Sequence, residues 1–587
     1  MTGARITLGV VAIALVGALL PSASASALPY EGSSSSSAAA TQSASPRAQS
    51  LEPIDLSWTV GGATPAGFHR FGVLPLGGSG AFRLPGASLL HRETSDKTAP
   101  PRQDDGGWYT CQSYDDPGCA GQPIRFAVTL PPCTEAITSG CVRGVGFSRN
   151  GQEVDATFAR TLDFSGAIPT VEEYSWKAGH ESEASRVRVV PVADFAGRPA
   201  EGLPPGGRSS LWEVPGVTDA DSDFMLVDAA ISGLRTADGT VIYQSFQARV
   251  APVVKQGGLE GIAWGMRFAP AIKETVTPGV AWDFHTSYQG DARCMAFETG
   301  ACLRVANMPE DLRVSLDLAL DKRISGWLHG RLSSPVVDVE GLDEFTNLVT
   351  VEAGSALVPA MMQDVASDSL PGWAGRGAIG SSRGWNFDPK AGFFGEFVEL
   401  VPLLKQVSTA EYRVWSFTSI VNEGDLHPCL ADRGRLMGLV TTNALFYGAQ
   451  PPTLRDSALR FQVAGLHRIS QGTLTRGTYD LVMRADAARC IYDLTGVPMV
   501  AQVSVTTEGG AEQVASTSAS EADGWLRISA RNFTFSAPTV SAHLLKRGDL
   551  LCRKMKGKQI QAVRVVPGPK ARCPKGFRAA PVKPVGR

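Results

Sequence analysis

Along most of the chain, apolar and polar residues alternate with a period of two. The clearest run is 313–320, RVSLDLAL, which sets Val314, Leu316, Leu318 and Leu320 against Arg313, Ser315, Asp317 and Ala319. That spacing predicts a half-buried strand. The same style recurs at 336–340, 346–351, 498–507 (PMVAQVSVTT) and 525–529 (WLRIS). Earlier runs at 124–130, 185–193, 224–231 and 240–250 are more interrupted. Clusters of Gly, Pro, Asn and Asp punctuate them, as turns between strands require. One helical pattern stands against this background, 394–407 (FGEFVELVPLLKQV), in which Pro402 needs the first turn or a kink. No regular repeat period occurs, so neither a solenoid nor a propeller is expected. The expected fold is mainly β: two or more antiparallel β-sandwich-like domains, disulfide-stapled, with few helices. A fresh strand follows Pro309-Glu310-Asp311, which suggests a boundary near 305, between β-rich domains over 51–304 and 305–545.

The start of the chain has a different pattern. Arg5 precedes an uncharged apolar stretch, 6–20, followed by Pro21 and small residues ending in Ala25-Ser26-Ala27. Charge, apolar segment and A-x-A site in that order predict a cleaved secretory signal peptide over 1–27. The apolar stretch is short for a membrane span, which needs about 20 residues. Residues 31–50 hold thirteen Ser or Ala in twenty, too few large apolar groups to offset ordering. Segment 28–50 is expected to be a linker. The protein is therefore expected to be secreted, with no membrane span.

Composition narrows the class further. The chain has 587 residues, 55 basic against 57 acidic, 43% hydrophobic and 19% charged. That excludes an intrinsically disordered chain and a membrane transporter. The near-neutrality is a cancellation: 546–587 carries thirteen Lys or Arg against one acid, Asp549, so the remainder is net acidic. A basic tail on an acidic body points to an anionic partner.

The ten cysteines are Cys111, Cys119, Cys133, Cys141, Cys294, Cys302, Cys429, Cys490, Cys552 and Cys573. Cys111/Cys119, Cys133/Cys141 and Cys294/Cys302 share the spacing C-x7-C. In an exported chain disulfides are the default reading, and the short C-x2-C knuckles of structural zinc sites are absent. Sequential pairing is the simplest connectivity, with Cys429–Cys490 a long bridge and Cys552–Cys573 closing the tail. Cross-pairing among the first four remains open.

Few residues suggest catalysis. Gly380-Ser381-Ser382-Arg383-Gly384 is a literal G-x-S-x-G, with Asp486 and His543 downstream. Its flanks lack the strand and helix that a nucleophile elbow needs, so a Gly-rich loop is the plainer reading. Asp219-Ala220-Asp221-Ser222-Asp223 resembles a calcium loop, but Phe224 and Ala230 stand where an EF-hand needs Gly and Glu. Neither H-E-x-x-H nor a nucleotide fingerprint is found, and no cofactor or metal is expected. Eleven tryptophans invite a carbohydrate-binding reading, yet Trp327, Trp415 and Trp525 adjoin strand-like runs, where core packing is the commoner role.

Several strings carry a resemblance. They are Ile324–Leu332 (ISGWLHGRL), Thr442-Asn443-Ala444 with Tyr447, Gly477–Arg484 (GTYDLVMR) with Ala488–Tyr492, Asp523–Leu526, and Asn532–Ser536. Together they resemble a group of uncharacterised secreted actinobacterial proteins, over about 310 to the C-terminus. The tail, with Cys552, Lys556-Gly557-Lys558 and Cys573-Pro574-Lys575-Gly576-Phe577, resembles a basic two-cysteine module carried by such proteins. The resemblance implies compartment and architecture and supplies no catalytic residues.

The first expectation is a non-enzymatic binding or surface protein whose tail, 546–587, is attracted to an anionic cell-wall polymer. Carbohydrate is a further possible partner; nucleic acid is not expected. An extracellular hydrolase of polysaccharide or ester, resting on Ser382 or a carboxylate pair, is the alternative. A structural envelope component is the third.

Overall fold

The computed structural model describes residues 110–162, 194–218, 223–257, 301–369 (except 325), 403–419, 435–447, 458–492, 516–535 and 539–579 (except 547, 558 and 569). Shorter described stretches are 51–53, 66–73, 88–92, 172–174, 185–189, 271–275, 284–285, 296–298, 428–430, 451–455, 499–506 and 583–584. The signal peptide and linker expected over 1–50 lie outside the described residues.

The fold is mainly β, with several antiparallel sheets and few short helices. The strands that organise it are β1 (Ile124–Thr129), β2 (Cys141–Arg149), β3 (Asp223–Arg235), β4 (Val241–Gly257), β5 (Leu312–Asp321), β6 (Gly326–Gly341) and β7 (Thr346–Ala366). They continue with β8 (Ala410–Ser419), β9 (Leu436–Thr442), β10 (Gly477–Arg484), β11 (Met499–Thr506), β12 (Trp525–Phe533) and β13 (Thr539–Lys546). A short helix, α1 (Ala485–Tyr492), follows β10 directly. The tail holds β14 (Leu550–Lys556), β15 (Gln559–Val566), β16 (Arg578–Ala579) and β17 (Lys583–Pro584).

The period-two runs become these strands. In β5 the alternation buries Val314, Leu316 and Leu318 and leaves Arg313, Ser315 and Asp317 half-buried. Hydrogen-bonded pairing runs across position 305: β2 pairs with β5, and β4 pairs with β8. One core joins both sides of it, with Phe126, Ile231 and Phe246 packed with Leu316, Leu332, Val351, Trp415 and Phe417.

A second core lies on the other face of β6, β9, β10 and β12. Successive residues of these strands point to opposite faces. Leu328, Leu439, Val482 and Trp525 belong to the first core. Trp327, Val440, Leu481 and Leu526 belong to the second, with Phe461, Val503 and Leu544. A sheet covered on both faces must be apolar throughout, which is why every residue of β9 (LMGLVTT) is buried. β6 pairs with β9 in parallel, an exception to the antiparallel pattern.

One detail departs from the local expectations. Residues 404–407 are not helical, and 394–402 lie outside the described residues. The Gln363 side chain of β7 accepts from the Lys405 amide at 2.8 Å and donates to the Leu403 carbonyl at 3.2 Å. Gln406 sits at φ 59°, and its carbonyl accepts the Arg468 amide at 3.0 Å. Those tertiary bonds replace the ones a helix would make. Cys490 lies on α1.

Candidate functional site

The strongest concentration of charge, the segment 546–587, contains a small sheet in the order β15–β14–β16. The β14–β15 hairpin pairs Lys556 with Gln559, and Gly557, just past Lys556, takes φ 61°, which a side chain would resist. The Cys552–Cys573 disulfide, with Cα atoms 5.4 Å apart, ties the 570–577 turn region to β14. Asp549, the segment's one acid, is half-buried and accepts the Gly568 amide at 2.9 Å. Its carboxylate therefore closes the fold of the module rather than lying among the outward cations.

The cations point out. Lys546, Lys554, Lys556, Arg564, Lys570, Arg572, Lys575 and Arg578 are exposed, and Arg553 is half-buried. The guanidinium of Arg564 stands 5.5 Å from the centroid of the Phe577 ring, a cation–π placement that restricts its motion. The segment is also tied to the body at both ends. β11 pairs on one edge with β13, Met499 opposite Lys546, and on the other with β17, Ala501 opposite Lys583.

Other residues singled out in the sequence fall as follows. Cys111–Cys119, Cys133–Cys141, Cys429–Cys490 and Cys552–Cys573 are disulfides, in sequential pairing. Cys294 lies outside the described residues, so the Cys294/Cys302 expectation does too. Ser382 and its Gly-rich loop are likewise outside them. Asp486 begins α1 and pairs with Arg435 at 2.6 Å, and His543 is buried in β13. Asp219 and Asp221 are outside the described residues; Asp223 is buried and accepts the Leu51 amide at 3.1 Å. Trp327, Trp415 and Trp525 are core residues, so their faces are closed to sugar rings. Among the described residues no group of three His, Cys, Asp or Glu side chains is placed to hold a metal ion. No described helix is long and apolar enough to cross a membrane.

A buried polar centre escaped the sequence reading. His329 Nδ1 and the Tyr447 hydroxyl oxygen lie 2.7 Å apart. Arg331, on the same face of β6, stacks 4.6 Å from the Tyr447 ring centroid. It donates to the carbonyls of Thr442 (3.2 Å), Ala444 and Leu445 (2.9 Å). Burial, then the neighbouring Arg331 charge, pushes the His329 pKa down to about 3. Burial also raises the Tyr447 hydroxyl and lowers Arg331. Asn443 completes the turn, donating to the Arg476 carbonyl at 2.9 Å and accepting the Thr478 amide at 2.7 Å. This centre unites three of the quoted strings and is a structural clamp: its groups are enclosed and engage one another. The only signal for it was that the strings belong together.

Comparison with protein-family models, with curated proteins and with solved structures finds no match.

Proposed function

We propose that the protein is an exported, envelope-associated binding protein whose terminal module holds an anionic envelope polymer, without catalysis. The observation that carries this reading is the module itself. Lys554, Lys556, Arg564 and Arg578 are exposed on a small sheet, and Lys570, Arg572 and Lys575 on the turn region that a disulfide ties to it, while the segment's one acid is used internally. Fixing cations on a covalently closed scaffold lowers the ordering cost of binding, which a loose basic tail would bear in full. Long-range attraction between such a patch and a polyanion speeds encounter and weakens with salt, because exposed charges are screened beyond about 8 Å at physiological ionic strength.

The test is co-sedimentation of the full chain with isolated cell walls at rising salt. Wild type is expected to sediment at low salt and release as salt increases. A variant with Lys554, Lys556, Arg564, Lys570 and Arg572 changed to Gln is expected to stay in solution. Equal sedimentation of both chains contradicts the proposal. Charge neutralisation is a cleaner probe than truncation, since cutting after Lys546 also removes β17 from the edge of β11.

A further inference from the structure

Two arginines stand side by side at the rim of the first core. The strand Ser516–Ala522 pairs with β12, which pairs in turn with β10. Residues opposed on a ladder share a face, as do residues two apart along one strand. Arg484 is opposite Trp525, and Arg527 lies between Val482 and Ser520. All five side chains therefore share one face. Arg484 and Arg527 are diagonal neighbours on it, about 7–8 Å apart at the backbone, which two long side chains can bridge. Val482 and Trp525 are buried in the first core, while Arg484, Arg527 and Ser520 are half-buried beside them. The nearby acids are engaged elsewhere. Asp480 holds Arg531 at 2.5 Å, and Glu521, on the opposite face with Leu526, holds Arg489 at 2.7 Å. Asp486 holds Arg435 at 2.6 Å and stands 3.8 Å from Arg484 Nε, beyond hydrogen-bond reach. Among the described residues Arg527 has no hydrogen-bond or ion-pair partner.

The Nε atoms of both arginines are enclosed without an acceptor, whereas their terminal nitrogens make no hydrogen bond and remain at the surface. Packing thus fixes the stems and leaves the forks open. The Arg484 guanidinium is held further by the Trp525 ring, 5.4 Å from its centroid. Neighbouring like charges repel, a cost that a bound anion would offset. We infer that Arg484 and Arg527 form a clamp for a phosphate group, separate from the terminal module. Two forks offer four terminal nitrogens and two positive charges. A carboxylate has two oxygens and one charge and satisfies one fork; a phosphate has oxygens enough to engage both. Because the forks are already placed, little ordering opposes binding.

The experiment titrates inorganic phosphate into the full chain, in a parent that already carries Gln at positions 554, 556, 564, 570 and 572, so that the terminal module contributes little. Phosphorus NMR line broadening reads the affinity, and the melting temperature is followed in parallel. Phosphate is expected to bind this parent and raise its melting temperature. Arg484→Gln and Arg527→Gln are each expected to weaken binding on the order of tenfold or more, as loss of a charged hydrogen-bonding group does. Arg527→Lys keeps the charge without the fork and is expected to fall between. Acetate at equal ionic strength is expected to bind more weakly than phosphate. The clamp is overturned if both Gln variants or the Lys variant bind phosphate as tightly as the parent, or if acetate binds equally well. Binding that is present in wild type and lost in the parent belongs to the terminal module; the clamp then falls while the proposed function stands. Near-ultraviolet circular dichroism checks folding. Arg527→Gln breaks no bond in the folded chain, so it keeps the clamp testable should loss of the Trp525 contact unfold the Arg484 variant.

Discussion

The guanidinium of Arg531 reaches the carboxylate of Asp480 at 2.5 Å, across the β10–β12 ladder. Asp480 also accepts the Ser334 amide at 3.2 Å and the Thr441 hydroxyl at 3.5 Å. Ser334 is free to donate because β6 bulges there: its register with β7 shifts between Ser333 and Val336, and Ser334 takes φ 49°. The bulge thus turns a ladder amide into a ligand for a buried carboxylate.

Removing that carboxylate leaves Arg531 facing the core boundary without its counter-charge. Asp480→Asn is expected to cost roughly 2–3 kcal/mol of unfolding free energy in urea titration. That is less than the roughly 3–5 kcal/mol for breaking a fully buried pair. The discount reflects the Arg531 side chain, which is 23% exposed. The double change Asp480→Leu with Arg531→Met is expected to cost less than Asp480→Asn alone. A double variant that is less stable than the single one contradicts this account.

His329 predicts a pH dependence. In the folded protein its pKa is held down to about 3, against 6.5 for an unperturbed imidazole. Between those values the unfolded chain binds a proton that the folded one refuses. Stability from this group is therefore complete above about 6.5 and is lost as pH falls towards 3, by up to about 1.4 kcal/mol per pH unit. Most carboxylates titrate lower, so the window from pH 6.5 to 5 reports mainly on histidines, and the difference between wild type and a His329 variant isolates this one. His329→Gln should flatten the stability profile there. Parallel profiles for wild type and variant would rule the explanation out.

Where the chain obeyed a local rule, its fold was legible. Period-two runs such as 313–320 became strands because one face of each is buried, and the 522–525 hairpin follows from Asp523 and Gly524, both at positive φ. Trp525 enters the core at the start of β12, as its place beside a strand-like run suggested. Sequential disulfide pairing was the simplest of the connectivities the sequence left open, and the fold adopts it, with Cα atoms 6.0 and 5.0 Å apart at Cys111–Cys119 and Cys133–Cys141. The 404–407 segment was not legible, since Gln363 and Arg468, far away in sequence, decide its backbone. Nor was the His329 clamp, whose two partners are 118 residues apart. The charge of the tail was visible as composition.

Gly438 of β9 is crowded by Trp327 of the second core and by Val482 of the first. A Cβ there would stand 2.5 Å from the Trp327 ring and 2.6 Å from the Val482 carbonyl oxygen. The ring can shift slightly; the carbonyl, held in the β9–β10 ladder, cannot move without breaking it. Gly438→Ala is expected to lose about 2–3 kcal/mol, the upper part of the overpacking range. Gly341→Ala, whose Cβ meets nothing within 4 Å, is the matched control and should change stability little. Equal melting temperatures for the two variants would show that the cores are looser than the geometry implies.

The tail disulfide closes a loop of 21 residues, which in the chain-entropy account contributes roughly 3 kcal/mol. Among the apolar side chains of the module whose burial is described, Leu551 is buried and Val566 and Phe577 are half-buried, so the bridge should dominate its stability. Cys552→Ser with Cys573→Ser is expected to make 550–579 the first segment cut by trypsin, whose Lys and Arg sites are dense there. The body should resist, because its own cores and the Cys111–Cys119, Cys133–Cys141 and Cys429–Cys490 bridges are untouched. Limited proteolysis with mass mapping reads both outcomes together. Cleavage of the body before the module, in that variant, would mean that the tail is held mainly by its strand contacts with β11 and not by the disulfide.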